Sequence, residues 1–239
     1  MDTTILDRAY AVAQQTTSFA IHNEFLKKLL SMPEPEAVEY HYNLLHRREN
    51  RELYLRVRAA FEKRGRAAEV FMLSKLSREP DTDLQADILL MLGLMRSLEA
   101  RRIALDFIPN ESPKLRHFAC VVLGWVGTEQ DLAKLGKILL EDVEPRVRGT
   151  ASTALRQMWY RIPVIKNQLL WYLMSALEKE TDEQAQQEII IVVQELLNKK
   201  LGLKENTNEG TITGETGKAA EKARALLTAL AAKGELLAP

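Results

Sequence analysis

Five times along this chain the same apolar triplet returns in four-residue steps. Leu53, Val57 and Phe61 recur 31 residues later as Leu84, Ile88 and Leu92, and 31 further on as Leu115, Ala119 and Leu123. Another 32 residues bring Val147, Ala151 and Leu155, and 38 more bring Ala185, Ile189 and Val193. Steps of i, i+4, i+8 line one face of an α-helix. The extra residues before the fifth triplet fall in the turn around Arg161-Ile162-Pro163. A second amphipathic run lies between successive triplets: AAEVFMLSKL, EARRIALDFI, DLAKLGKILL and IKNQLLWYLMSAL. A helix pair of this length cannot bury its apolar face alone, and stacking on the next copy solves that problem. The spacing therefore predicts a stacked array of helix pairs over residues 50–203.

Residues 1–49 are expected to form N-terminal helices that cap the array. DTTILDRAYAVAQQTTSFAIHNEFLKKLLSM reads as one long helix, or two joined near Thr16-Thr17-Ser18, ended by Pro33 and Pro35. Residues 204–217, KENTNEGTITGETG, are polar and aperiodic with three glycines, and read as a flexible linker. Residues 218–239 predict a last amphipathic helix, which either caps the far end or hangs free.

The repeats resemble the HEAT family. The resemblance rests on LGKILLEDVEPRVRGTASTAL, where an Asp in the turn precedes by six residues an Arg opening the next helix: Asp142 and Arg148. Asn110 and Arg116 are a near match. Glu79 and Gln85 have lost the charge pair, and the repeat starting near Asp182 departs further. The resemblance covers roughly residues 50–200 and implies an all-α, right-handed α-solenoid of HEAT-like helix pairs. Asp142, Arg148 and Arg116 are expected to be structural. A turn carboxylate can accept from backbone N–H groups at the next helix start, and an Arg fork can bridge to the neighbouring repeat.

In that family the second helix of each pair lines the concave face. Here a stripe at i, i+4, i+7, i+11, starting one residue before each first anchor, would face a partner. It nominates Arg56, Asp87, Leu90, Leu94, Lys114, Phe118, Val121, Trp125, Arg146, Gln157, Glu188 and Glu195 as partner-binding residues. Phe118, Val121 and Trp125 matter most, because an aromatic centre between charged ends suits a protein interface. The competing expectation is that tight curvature covers them. A basic run (Arg47, Arg48, Arg51, Arg56, Arg58, Lys63, Arg64, Arg66) reads either as a solvated helix face with i,i+4 pairs or as an anionic docking surface.

Composition narrows the function classes. Lys+Arg and Asp+Glu each total 33, so the formal charge is zero, which argues against a dedicated nucleic-acid binder. The one cysteine, Cys120, sits in an apolar run and reads as a small buried hydrophobe; no disulfide framework can form, so a reducing cytosol fits. No run reaches transmembrane length, and the start lacks a signal-peptide pattern. His41 and His46 lie five apart, which is not the i,i+4 spacing of a helical zinc pair. No nucleotide, zinc or nucleophile motif is present, so neither cofactor nor metal is expected, and no catalytic residue is nominated. Compact HEAT-repeat proteins of this kind resemble some bacterial immunity proteins, which bind and block a cognate toxin. That resemblance implies a non-catalytic scaffold with a protein partner in its concave face. The alternative is a HEAT-like DNA glycosylase using Asp87 with Trp125, Trp159 or Trp171. A chromophore-lyase-like protein would rest on fold alone.

Overall fold

Residues 3–32, 35–207, 209–236 and 238 are described by a computed structural model; Pro33 lies outside them. The chain divides into two compact units, residues 1–100 and 101–239. The fold is all-α, built from repeated helix pairs.

Unit 1 holds α1 (Thr4–Gln14), α2 (Phe19–Ser31), α3 (Glu36–Asn43), α4 (Arg51–Ala60), α5 (Gly65–Leu76) and α6 (Thr82–Leu94). The N-terminal stretch is two helices, broken at Thr16–Ser18 as the hydroxyl-rich cluster suggested. The break is held by side chains. Asn50 Nδ2 donates to the carbonyls of Gln14 (3.0 Å) and Thr16 (2.8 Å). The same Asn50 caps α4, its Oδ1 accepting from the Leu53 N–H at 3.0 Å.

The basic run divides: Arg48, Arg56, Arg58 and Arg64 are half-buried against groups of unit 1, while Arg47, Arg51, Lys63 and Arg66 are exposed. Arg48 Nη1 reaches Asp83 at 2.6 Å, and Arg58 Nη1 reaches Asp87 at 2.9 Å. Arg47 lies over the Tyr10 ring and Arg56 over Phe19. Arg64 donates through Nε to His41 Nδ1 (2.9 Å) and through Nη2 to the Leu29 carbonyl (2.9 Å). His41 in turn donates Nε2–H to the Val57 carbonyl at 2.8 Å. Burial pushes its imidazole down to about 3, so the ring is neutral and can accept from Arg64.

Unit 2 holds α7 (Ala100–Phe107), α8 (Pro113–Val126), α9 (Leu132–Glu141), α10 (Pro145–Arg161), α11 (Lys166–Lys179) and α12 (Glu183–Leu197). Then come β1 (Lys204–Asn206), β2 (Thr211–Thr213) and α13 (Thr216–Ala232). α8, α10 and α12 pack side by side in one row, while α9, α11 and α13 form a second row against them. This is the two-layer stacking of an α-solenoid. All fifteen anchor residues of the repeated triplet are buried, in both units. Proline at the first helical position opens both α8 and α10, where its missing N–H costs nothing.

A turn device recurs four times. The side-chain oxygen of Glu79, Asn110, Asp142 or Glu180 accepts from the backbone N–H two residues on. The side chain six residues on (Gln85, Arg116, Arg148 or Gln186) donates back to the same residue's carbonyl. Two arginines reach further. Arg116 forks onto Asp142 at 2.7 and 2.8 Å, and Arg148 forks onto Glu180 at 2.6 and 2.7 Å. Arg148 thus contacts Asp142 through its backbone, and the carboxylate partner comes from the next repeat. Burial alone would raise the Glu180 carboxyl. The Arg148 fork and the N–H groups of Asp182 and Thr181 more than offset this and hold it below the usual value.

Residues 204–217, aperiodic in sequence, contain a two-stranded antiparallel hairpin pairing Lys204 with Thr213 and Asn206 with Thr211. A flexible linker was the expectation, and paired strands are the finding. Side chains hold the hairpin in place: Arg156 on α10 donates to Glu205 at 2.8 Å, and Gln194 Oε1 accepts from the Leu201 and Leu203 N–H groups. α13 does not hang free. It packs on α11 and α12, buries Ala219, Ala220, Ala223 and Leu227, and sends Arg224 onto the Leu177 carbonyl.

The Arg148–Glu180 pair is mostly shielded, its side chains 17% and 2% exposed. Arg148→Ala strands a buried carboxylate and should cost about 3 kcal/mol in urea unfolding. Arg148→Gln also leaves Glu180 without its counter-charge, so it should recover only the smaller part due to the Asp142 carbonyl bond, which an amide can keep as Gln85 and Gln186 do to their own turns.

Candidate functional site

The row α8, α10, α12 of unit 2 brings eight of the nominated residues onto one set of helices. Phe118, Val121 and Trp125 are half-buried. They are neither sealed in the core nor fully in solvent. Lys114, Gln157, Glu188 and Glu195 are also half-buried, and Arg146 is exposed. The intervening stripe members Thr150 and Ile191 are buried.

Two glycines set how closely these helices lie. A Cβ on Gly124 would meet Gln157 Oε1 at 2.7 Å and the Ala154 Cα at 3.0 Å. A Cβ on Gly149 would collide with the Glu188 carboxylate. Each glycine lets a long side chain of the next helix lie across its backbone. A glycine inside a helix is the sequence signal for such an approach; neither was nominated.

At the N-terminal ends of α8 and α10 a pocket of about 420 Å³ opens. Pro113, Phe118 and Val147 supply its apolar surface, while Lys114, His117, Glu144 and Arg146 supply the polar groups. His117 was not among the residues nominated from the sequence. Its Nδ1 lies 2.8 Å from Thr150 Oγ1, whose single hydroxyl proton goes to the Arg146 carbonyl at 2.8 Å. Thr150 therefore accepts, Nδ1 carries the imidazole proton, and Nε2 keeps its lone pair. Burial, then the charge of Arg146, pushes His117 down to about 4, so the ring is neutral near pH 7. Cys120 is buried with its thiol pushed up by desolvation, which leaves no thiolate for chemistry.

The opposite end of the row is closed. Arg156 bridges Glu195 (3.2 Å) and Glu205 of the hairpin (2.8 Å), and the Tyr160 hydroxyl donates to Glu195. Glu195, nominated for a partner, is thus held by its own unit. Glu188 sits between these ends. Burial raises its carboxyl, opposed by a long bond from Gln184 at 3.3 Å.

In unit 1 the nominated residues fare differently. Asp87 is interior, its side chain 1% exposed between Arg58, Arg48 and the Tyr54 hydroxyl. Leu90 is buried, Leu94 is half-buried, and Arg56 is stacked on Phe19. The stripe rule fails on α6 for a physical reason. DILLMLGL is apolar on every side, so the helix is covered all round. Asp87, the carboxylate of the glycosylase alternative, has its oxygens committed to two arginines and a tyrosine.

Residues 70–156 match the family profile of HEAT repeats. The matched stretch runs from within α5 through most of α10 and includes the pocket and both Arg116 and Arg148. No curated protein shows significant similarity to the chain. Among the described residues no three His, Cys, Asp or Glu side chains gather as metal ligands, and no helix is long and apolar enough to cross a membrane.

The depressed His117 value has a consequence for stability. Below 6.5 the unfolded chain takes up a proton that the folded imidazole refuses until about pH 4. Its contribution is therefore complete above 6.5 and fades as pH falls through that window. Urea midpoints should decline there less in His117→Gln than in the parent. The ring Hε1 resonance should titrate near 4 and show a proton on Nδ1.

Proposed function

We propose that the protein is a non-catalytic scaffold that binds a protein partner on the α8–α10–α12 face, and that it serves as an immunity protein blocking a cognate bacterial toxin. The observation that carries this reading is the half-exposed run Phe118, Val121, Trp125 on a packed helix row. Water-facing apolar side chains in contiguous order are what an interface core uses. HEAT repeats commonly serve as protein-binding scaffolds, and the matched residues include this run. Zero net charge with a basic pocket at one end of the row allows charge steering toward a partner without general nucleic-acid affinity. The enclosed setting of Asp87 supports the scaffold reading over the glycosylase alternative.

The deciding experiment is to sequence the genes flanking this one in its host and to co-express the protein with any toxin-like gene found there. The expected result is rescue of growth and a stoichiometric complex on gel filtration. Trp125→Ala and Phe118→Ala should each weaken that complex by roughly ten- to a hundredfold, equivalent to about 1.4 to 2.8 kcal/mol. Toxin activity untouched by an excess of the protein would overturn the immunity reading, and tight salt-dependent DNA binding would replace it.

A further inference from the structure

The pocket at the start of α8 and α10 suggests the chemistry of what it receives. Its floor is apolar: Phe118, Val147 and the Pro113 ring. On its rim stand two cations, Lys114 and Arg146, one from each helix. Among the described residues the Arg146 guanidinium is held by no hydrogen bond or ion pair, and the residue is exposed. Glu144 supplies the one carboxylate of the lining, so the rim carries a net positive charge. His117 is fixed by Thr150 with its proton on the far nitrogen, which leaves Nε2 as a bare acceptor on a ring that lines the cavity. Cations, an apolar floor and a lone-pair acceptor match three features of one peptide unit: a carboxylate side chain, an apolar neighbour and a backbone N–H.

The chain carries an internal precedent on the same helix. Arg156 of α10 takes the carboxylate of Glu205 in a two-armed contact at 2.8 and 3.2 Å, and Glu205 is delivered by β1, an extended segment. α10 thus already binds one acidic side chain presented on a strand, and Arg146 stands at its other end.

We propose that this pocket receives an acidic side chain and its apolar neighbour from an extended segment of the protein partner. Arg146 and Lys114 hold the carboxylate, Phe118 and Val147 cover the apolar group, and His117 Nε2 accepts from a backbone N–H of the segment. A cavity of about 420 Å³ is of a size to take two side chains. The proposal rests on the protein-binding reading above and adds the identity of the anchor.

Two arms test it on the full chain. In the first, N-acetyl-Leu-Glu-N-methylamide is titrated while the His117 and Phe118 ring resonances are followed. Saturable shifts in the millimolar range are expected, at least tenfold weaker for the Leu-Gln counterpart and for Arg146→Gln, and weaker in high salt. No shift at the solubility limit, equal binding of the Gln compound, or undiminished binding to Arg146→Gln each overturns the proposal. So does acetate binding as well as the dipeptide, since the apolar half would then contribute nothing. In the second arm the toxin complex is measured with Lys114→Glu/Arg146→Glu and, separately, with Val121→Asp. Loss in both supports pocket and face together. Loss only in Val121→Asp leaves the face standing and sinks the acidic anchor. No loss in either sinks the face itself. Unchanged melting temperature of the Arg146 variants, an exposed site, separates binding loss from unfolding.

Discussion

The bond on which the stack in unit 2 depends is the arginine fork thrown from one repeat to the turn of the next. Arg116 grips Asp142, and Arg148 grips Glu180. Apolar packing alone lets neighbouring helix pairs slide or rotate, because dispersion and hydrophobic burial have little directionality. A planar guanidinium meeting a carboxylate with two parallel bonds admits one geometry. Each carboxylate also accepts backbone N–H groups at the next helix start. The fork therefore orients the helix it reaches, as well as the turn. At both ends of the series the arginine gives way to glutamine, Gln85 and Gln186, which keep the bond to their own turn.

That registration is what makes a continuous face of α8, α10 and α12. Held in step, Gly124 and Gly149 come under the side chains of the next helix, and Gln157 and Glu188 lie across them. The run Phe118, Val121, Trp125 is then left half-covered. Its two ends differ in chemistry. The basic pocket at the helix starts is open, whereas the far end is filled by the hairpin through Arg156, Glu195 and Glu205. A helix start carries partial positive charge, so the open end reinforces the sign of Lys114 and Arg146.

Much of this was legible in the residues. The triplets located the helices and their buried faces, and the Asp142–Arg148 spacing located the turn device. The fourth copy of that device, Glu180 and Gln186, escaped because its repeat was read as starting near Asp182, two residues past the acceptor, although the same Glu and Gln stand at Glu79 and Gln85. Its geometry needs only an acceptor and a donor six residues apart. The basic run was legible only in part: Arg47, Arg51, Lys63 and Arg66 are exposed, as a solvated face would have them, but the groups that Arg47, Arg48, Arg56, Arg58 and Arg64 meet (Tyr10, Asp83, Phe19, Asp87, the Leu29 carbonyl) are remote in sequence. The hairpin was invisible for a similar reason. Its strands are three residues long and polar, too short for alternation to register, and its placement comes from Arg156 and Gln194.

The sequence by itself determined the all-α class, the repeat length, the buried triplets and the absence of any excess charge, because each is a local or additive property of residue types. Only the tertiary structure decided which stripe residues a partner can reach. It enclosed Asp87 and Leu90, tied up Glu195, left Phe118 and Arg146 accessible, and set the proton on His117 Nδ1. Exposure and protonation depend on what the neighbouring helices bring, and helical periodicity along one segment carries no record of its neighbours.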